Sequence, residues 1–444
     1  MNRHRHPLTA RYLSGLAAFF AVALAHAQTL TLTPLQPSGI YARGEPAGWT
    51  ATFANDAAAP TAPFTYTLKK NNSELLQAGE LDSAGGTAEI VISLDEPATL
   101  YLEVLPPAVD GQVTPIAAGA VIAPTQLLPV APRPDDFDAF WAHKIAHLQT
   151  IAPEPALKPG ESEREGVDYA TLILKNIERS HVYGQLAKPA RAGKFPAVLI
   201  LQWAGGPYPL QKSWVTERAA EGWLALNIEP HDVPGDQSPE FYAALPAMIK
   251  SYNTIYNDDR DRNYFLRMYL GAYRAADYLA SHPDWDGKTF LVMGTSMGGQ
   301  QSLAVAGLHP RITHVIVHVP AGADANAALH GRAAGYPNWD ASNPKVMATA
   351  RYFDTVNFAS RITATSLVSI GFIDNVCPPA GIWTAFNQIR GPKQAVPLVD
   401  AAHNHQATPE QQRAYTEREK AWRDALVAGR PAPVASGPWS SGER

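Results

Sequence analysis

Residues 288–310 read KTFLVMGTSMGGQQSLAVAGLHP and predict, in order, a buried strand, a sharp turn and a helix. The strand is the apolar run 290–293, and the helix is the alanine-rich run 300–308. Between them, Ser296 has Gly294 two residues before it and Gly298 two residues after it. This Gly-x-Ser-x-Gly pattern is typical of a nucleophile elbow, a strained turn that raises the serine hydroxyl above the sheet and leaves no room for neighbouring side chains.

The composition of the 444-residue chain indicates a globular protein with two or three domains. Hydrophobic residues make up 46% of the chain, which is enough for a sizeable core. The formal net charge is −5 and charged residues are only 17% of the chain, so there is no basic surplus. We therefore expect no nucleic acid partner.

The first 27 residues are typical of a secretory signal peptide. Arg3, Arg5 and Arg11 form a positive region, residues 13–24 form a short apolar run, and residues 25–27 read Ala-His-Ala, a small-residue cleavage site. The pattern predicts a mature chain that starts near Gln28, is secreted or periplasmic, and has no membrane segment after cleavage.

The single cysteine, Cys377, excludes an intrachain disulfide. A thiol beside a histidine would allow a cysteine–histidine mechanism. The apolar neighbours, Val376 and the prolines that follow, favour a packed thiol instead.

The chain divides into four parts. Residues 1–27 are the signal peptide, and residues 28–125 hold short alternating strands separated by turn formers, which predict a small immunoglobulin-like β-sandwich. This β-domain could be a carbohydrate-binding module, a spacer or an oligomer contact. Residues 126–430 form the second domain, and the Pro/Ser/Gly-rich residues 431–444 predict a disordered tail.

Strands alternate with helices from Phe195 onward, and this alternation predicts an α/β fold with a mostly parallel sheet flanked by helices. Together with the serine turn, the pattern is that of an α/β-hydrolase. In this fold the serine is followed along the chain by an acid and then by a histidine, each after a strand.

Asp374 follows the predicted strand 363–371 and is our candidate acid, with Asp400 as a weaker rival. His403 and His405 both follow the last predicted strand, and of these two candidate bases we favour His403. The other histidines named here occupy positions that suit a catalytic base less well. His231 and the adjacent Asp232 precede the serine, and His314 and His318 lie on a predicted strand.

The oxyanion hole of such a site needs two backbone N–H donors. One is expected from Met297, directly after the serine, and the second from Ala204, in the glycine-containing loop that follows the predicted strand 196–201. No set of His, Asp and Glu residues has the sequence spacing of metal ligands, so we predict neither a metal nor another cofactor.

With these residues assembled, the chain resembles the acetyl xylan esterase and cephalosporin C deacetylase family of α/β-hydrolases from about residue 136 to residue 428. The likeness is carried by FDAFW (137–141), by YLGAYRAADYLASHPDWDGKTFLVMGTSMGG (269–299), by GFIDNVCPP (371–379) and by PLVDAAH (397–403). The resemblance places the family's acid on Asp374 and its histidine on His403. This chain departs from the family pattern at Met297, where glutamine is usual, and at residues 202–204, where the family has a His-Gly-Tyr type of loop.

The resemblance implies a serine esterase that removes acetyl groups from acetylated sugars, such as xylan or its oligosaccharides, through an acyl-enzyme. It also implies a possible homo-oligomer, since family members often form hexameric rings. Two alternatives remain open. The chain could be a peptidase or an esterase for other substrates on the same fold, or a non-catalytic carbohydrate-binding protein that keeps a hydrolase core.

Overall fold

The computed structural model describes residues 30–54, 63–83, 85–108, 112–435, 437 and 440–441. The predicted signal peptide, residues 1–27, lies outside the described residues. Among the described residues, no helix is both long enough and apolar enough to cross a membrane.

The first domain consists of two small sheets that share one core. Strands β1, β3 and β6 form one sheet, and β2, β8, β7, β4 and β5 form the other, in that order. Alternate residues of both sheets point inward, and Trp49, Phe64 and Leu100 are almost fully buried between them. The eight strands are Leu30–Pro34 (β1), Ile40–Tyr41 (β2), Ala47–Phe53 (β3), Phe64–Lys70 (β4), Glu74–Leu81 (β5), Thr87–Ile92 (β6), Ala98–Leu105 (β7) and Ile116–Ile122 (β8).

The second domain is built on a ten-stranded sheet in the order β18-β17-β16-β15-β14-β12-β13-β11-β10-β9. The neighbours from β13 to β17 pair in parallel, and the strands at both ends of the sheet pair antiparallel. The strands are Ala156–Gly160 (β9), Val167–Lys175 (β10), His181–Pro189 (β11), Phe195–Leu201 (β12), Leu224–Ile228 (β13), Trp285–Thr295 (β14), His314–His318 (β15), Thr365–Gly371 (β16), Lys393–Leu398 (β17) and Ser440–Ser441 (β18).

Helices cover both faces of this sheet. They are Phe137–Gln149 (α1), Ser213–Glu221 (α2), Pro239–Met248 (α3), Tyr264–Ser281 (α4), Met297–Leu308 (α5), Pro344–Ala350 (α6), Thr355–Ala359 (α7), Pro379–Gln388 (α8) and Pro409–Val427 (α9). Short 3₁₀ segments lie at Pro124–Gln126, Ile177–Arg179, Tyr252–Thr254 and Ala327–His330.

The apolar run in β14 is continuous because the strand is buried on both sides. Phe290 and Val292 belong to the core beneath α4 and α5, whereas Leu291 belongs to the core beneath α2 and α9. The loops that follow β12, β16 and β17 leave the sheet at the same edge as the turn after β14, because parallel strands share the direction of their carboxyl ends.

The tail differs in part from the disorder predicted for residues 431–444. Ala432 and Val434 pack, partly buried, against the core beneath α9, and the N–H of Ala435 donates to Gln394 Oε1 at 3.1 Å. Ser440–Ser441 pairs antiparallel with β17. The contacts of residues 432–435 are explained by the apolar side chains of Ala432 and Val434, which lie within this Pro/Ser/Gly-rich stretch.

Candidate active site

Ser296 lies in the turn between β14 and α5, in a backbone conformation that few side chains adopt, with φ 55° and ψ −120°. The two glycines make this turn possible. A Cβ at Gly294 would lie 2.4 Å from the carbonyl carbon of Gly298, and a Cβ at Gly298 would lie 2.1 Å from the carbonyl oxygen of Leu201. The predicted elbow is therefore present, and α5 begins directly after the serine.

The structure brings Ser296, Asp374 and His403 into one hydrogen-bonded row. Ser296 Oγ lies 2.9 Å from His403 Nε2, and His403 Nδ1 lies 2.7 Å from Asp374 Oδ2. All three side chains are buried, and Asp374 is completely enclosed. This is the geometry in which an imidazole can take the serine proton while a carboxylate holds its other nitrogen.

The loop around Asp374 fixes the carboxylate through its second oxygen. Asp374 Oδ1 accepts hydrogen bonds from the N–H groups of Val376, at 2.8 Å, and Cys377, at 2.7 Å. The orientation of the carboxylate therefore follows the backbone of its own loop, and Oδ2 is left to face His403.

The rival candidates for acid and base lie elsewhere. His405 is exposed, with its ring 5.4 Å from that of His403, and Asp400 is exposed at the end of β17. His403 and Asp374 are the members that make the row with Ser296. His405 stands beside the row rather than within it.

Met297 follows the serine, as the oxyanion prediction requires, and its side chain is fully buried. Ala204 lies in the loop after β12, where Gln202 Nε2 donates to the carbonyl of Pro207 at 2.6 Å and the carbonyl of Gln202 accepts from Gln301 at 3.0 Å. The first bond closes the loop of Ala204 on itself, and the second ties it to helix α5. The role of the two N–H groups as oxyanion donors stays a prediction.

Two tyrosines that the sequence did not single out complete the surroundings of Met297. The hydroxyls of Tyr252 and Tyr336 contact Met297 Sδ at 3.0 and 3.3 Å and contact each other. Burial raises the pKa of both phenols above the ordinary value, so both stay neutral. Tyr336 is also tied to the loop of Asp374, because its N–H donates to the carbonyl of Val376 at 2.8 Å.

A second polar cluster, also partly missed from the sequence, surrounds Glu229 at the end of β13. Glu229 Oε2 accepts from the N–H groups of His231 and Val233, both at 2.7 Å, and burial raises the pKa of the carboxyl to about 8. His231 Nδ1 lies 2.9 Å from the Tyr264 hydroxyl, and burial lowers the pKa of its imidazole to about 3. Asp232 accepts from the N–H of His181 at 2.8 Å. His231 and Asp232 thus fold their own loop and lie apart from the row of Ser296.

The two histidines of β15 have structural partners, as expected. His318 is held between Ser369 Oγ, at 2.6 Å, and Gln412 Oε1, at 2.8 Å, and its carbonyl accepts from the N–H of Ser296 at 2.9 Å. His314 Nδ1 lies 2.8 Å from Thr313 Oγ1. Burial lowers the pKa of both imidazoles to about 4, so they stay neutral.

Cys377 is a buried free thiol beside the serine. Burial raises its pKa well above the ordinary value and Asp374 raises it further, which disfavours a thiolate nucleophile. Among the described residues, one group of potential metal ligands lies close together: single ligand atoms of Asp374, Cys377 and His403 are within 4.8 Å of one another. Two of its members already hydrogen-bond each other, and a structural zinc site needs a fourth ligand, so this donor set fits proton transfer better than a metal.

The chain is similar in sequence to known acetyl esterases. The acetyl xylan esterase (AXE1) family profile matches residues 126–421. An acetyl esterase, Axe7A, of Xylanibacter ruminicola is 35% identical over 296 residues, which are 65% of this chain and 67% of that protein.

Two solved structures share the fold of the second domain. The acetyl xylan esterase of Paenibacillus sp. R4 superimposes with a TM-score of 0.57 at 22% identity, over 67% of this chain and 98% of that one. Acetyl xylan esterase 1 of Thermoanaerobacterium sp. JW/SL YS485 gives 0.51 at 22% identity, over 63% and 92% of the two chains. The chain is therefore an α/β-hydrolase with a preceding β-domain, and it belongs to the acetyl xylan esterase family of carboxylic ester hydrolases.

Proposed function

We propose that this protein is an exported serine esterase that removes acetyl groups from acetylated carbohydrates, such as xylan or xylo-oligosaccharides, through an acyl-enzyme. The observation that carries the proposal is the row of Ser296, His403 and Asp374, with the serine directly before the N-terminus of α5. The hydroxyls of Tyr252 and Tyr336 pack against the side chain of Met297, the residue after the serine, and bulky buried side chains in this neighbourhood support a small acyl group.

In the first half of the reaction, Ser296 Oγ attacks the acetyl carbonyl while His403 Nε2 takes the serine proton. Asp374 accepts the hydrogen bond from His403 Nδ1 and stabilises the imidazolium that forms. The N–H groups of Met297 and Ala204 bind the developing oxyanion, and the N-terminal end of α5 favours its negative charge. His403 then gives the proton to the leaving sugar hydroxyl.

In the second half, water attacks the acetyl-serine ester. His403 accepts a proton from the water and returns it to Ser296 Oγ, so acetate leaves and the enzyme is regenerated. No cofactor takes part in the proposed steps.

The direct test is acetate release from acetylated xylo-oligosaccharides by the purified protein and its Ser296→Ala variant. We expect the variant to lose roughly three or more orders of magnitude in kcat. Ser281→Ala is the matched control, because this exposed hydroxyl lies at the end of α4 and donates to the Tyr278 carbonyl within its own helix. Equal release by wild type and Ser296→Ala would remove the serine from the mechanism.

Three further measurements separate the alternatives. Activity on acetate, butyrate and octanoate esters should fall steeply with acyl length, and a preference for long chains would contradict an acetyl esterase.

The variant Cys377→Ser should retain most of the esterase activity. If Cys377→Ser were inactive while Ser296→Ala stayed active, a cysteine mechanism would be favoured. A protein that fails to react with a serine-directed phosphonate would instead point to a non-catalytic binding role.

Export rests on residues 1–27 alone. N-terminal sequencing of the protein recovered outside the cytoplasm should begin at or near Gln28. Recovery of the uncleaved chain in the cytoplasm would contradict this part of the proposal.

A further inference from the structure

The turn between β4 and β5 of the β-domain lies directly against the loop that carries Asp374. We call residues 70–73 the hairpin tip and residues 372–378 the acid loop. Asn72 Nδ2, in the hairpin tip, donates to the Asn375 side chain at 2.7 Å and to the backbone carbonyl of Asp374 itself at 3.3 Å. The two partners are about 300 residues apart in the sequence, so only the folded chain brings them together.

The hairpin tip is held firmly enough to act as a support. Asn71 and Asn72 both have left-handed backbone conformations, with φ 52° and 57°, and the N–H of Ser73 closes the turn onto the Lys70 carbonyl at 3.0 Å. Asn71 is buried and bonds Thr99 twice, through its N–H at 2.7 Å and through Oδ1 at 3.0 Å. The tip is thus fixed to β7 of its own sheet before it meets the acid loop.

The contact reaches beyond one side chain. The carbonyl of Asn71 accepts from the N–H of Ala333, three residues before the Tyr336 that contacts Met297. Tyr101, on β7, also contacts the Asn375 side chain, and this contact lowers its pKa, although burial has the larger effect and raises it. The β-domain therefore holds both the acid loop and the segment that leads to Tyr336.

The two domains also meet backbone to backbone. A Cβ at Gly119, on β8, would lie 2.5 Å from the carbonyl oxygen of Phe372, the residue that begins the acid loop. At Gly39 the β-domain instead packs against a side chain, since a Cβ there would lie 2.8 Å from Cγ1 of Val399, which precedes the loop of His403. Such close approach leaves the acid loop little freedom to move relative to the β-domain.

We propose that the β-domain is a structural part of the catalytic site and that Asn72 is a positioning residue, which holds the acid loop so that Asp374 faces His403. The carboxylate orientation is set by the loop's own N–H groups at Val376 and Cys377, so a displaced loop backbone would turn Oδ2 away from the imidazole. A misplacement of about 1 Å in a catalytic group can cost on the order of 100-fold in rate. This inference rests on the proposed function for the role of Asp374, but not for the contact itself.

The test is Asn72→Gly in the full-length protein. Glycine adopts the left-handed conformation without strain, so the substitution removes both hydrogen bonds and leaves the turn intact. We expect kcat for acetate release to fall about 10-fold, with KM within about twofold of wild type and an unchanged melting temperature. Glu178→Gly is the matched control, since Glu178 is exposed on the other domain with φ 53°, and it should leave kcat unchanged.

A second variant separates positioning from general loosening of the fold. Asn375→Ala removes the shorter of the two hydrogen bonds from the other side, so the double variant Asn72→Gly/Asn375→Ala should be little worse than the poorer single variant. Additive losses, or a kcat equal to wild type in Asn72→Gly, would overturn the proposal. A fall in melting temperature without a fall in kcat would show that Asn72 only joins the domains, and would overturn it too.

A spectroscopic measurement keeps this test independent of the substrate. The proton between His403 Nδ1 and Asp374 Oδ2 should give a far-downfield proton NMR signal in wild type, and Asn72→Gly should broaden or shift it while Glu178→Gly does not. If wild type hydrolyses no ester tested but the signal responds in this way, the proposed function fails and the positioning role stands. An identical signal in wild type and Asn72→Gly would overturn the positioning role, whatever the activity.

Discussion

Ser296 can hold its strained backbone conformation only because its neighbours two residues away have no side chains. Gly298 is the tighter of the two positions, since its α-carbon packs against the carbonyl of Leu201 at the end of β12. We predict that Gly298→Ala destabilises the protein by roughly 1–3 kcal/mol and abolishes most esterase activity, because strand and helix must move apart at the nucleophile. Denaturant unfolding and acetate release measure the two effects.

Gly235→Ala is the matched control for this prediction, because a Cβ there would meet nothing within 4 Å. It should change neither stability nor activity. Full activity in Gly298→Ala would contradict the close approach of α5 to the end of β12.

The buried carboxyl of Glu229 leads to a prediction of how the free energy of unfolding depends on pH. Its folded-state pKa is about 8, well above the ordinary value, so the folded state binds more protons than the unfolded state between about pH 5 and pH 8. The free energy of unfolding should therefore fall as the pH rises through this window, by at most roughly 4–5 kcal/mol at about 1.4 kcal/mol per unit. Glu229→Gln keeps an acceptor for the His231 and Val233 N–H groups and should remove this loss.

Melting temperatures of wild type and Glu229→Gln between pH 5 and pH 8 provide the measurement. The two proteins should be similar at pH 5, and the variant should become relatively more stable toward pH 8. Glu178→Gln, on the exposed surface, serves as control. A constant difference between wild type and Glu229→Gln across this range would show that Glu229 does not titrate in the window.

At the scale of residues, the sequence predicted that Ser296, Asp374 and His403 come together, because each follows a strand whose pattern is visible and their order along the chain is that of the fold. Their catalytic roles stay a prediction. The sequence could favour His403 over His405 but not exclude the latter, since the two residues lie on one loop and only packing buries one of them. Tyr252 and Tyr336 were missed as neighbours of Met297 because they come from two separate segments with no shared motif.

Among the secondary-structure elements, α9 follows the loop of His403 and has a well-defined N-terminal cap. It starts four residues after the exposed His405, and its first turn has a capping box in which Thr408 Oγ1 accepts from the Gln411 N–H and Gln411 Oε1 accepts from the Thr408 N–H. We predict that Thr408→Ala lowers the free energy of unfolding by about 1 kcal/mol, as measured by urea denaturation.

Thr416→Ala is the comparison for this element, since Thr416 lies exposed within the same helix and only bonds the carbonyl of Arg413. It should cost less than Thr408→Ala. Equal losses would assign the effect of Thr408→Ala to the change in side chain rather than to the lost cap.

The elements with a clear periodic pattern were predicted to within a few residues. The strand expected at 196–201 is Phe195–Leu201, and the strand expected at 363–371 is Thr365–Gly371. Helix α5 could be placed but not oriented, because all of its residues are buried and it has no polar face to show which side packs. The short helices α6 and α7 were not predicted, because their few turns give too little periodicity to detect in the sequence.

For the molecule as a whole, Gly119 joins the two domains at the acid loop. We predict that Gly119→Ala lowers both the melting temperature and kcat, because the added methyl group must displace either β8 or the backbone of Phe372. Gly79→Ala, within the β-domain, is the comparison; there the new Cβ would meet only the Tyr66 side chain, at 3.1 Å. Unchanged activity in Gly119→Ala would show that the acid loop tolerates movement of the β-domain.

The sequence by itself determined the order of the domains, the parallel sheet and the three residues of the hydrogen-bonded row, since each of these depends on patterns within a few tens of residues. Only the tertiary structure decided what surrounds the row. Asn72 meets Asp374 across 302 positions of the chain, and Tyr336 meets Met297 across 39. Such contacts arise from packing between domains and between segments, and no local periodicity or spacing encodes them. For the same reason, the sequence left the β-domain without an assigned role, whereas the fold places it against the acid loop.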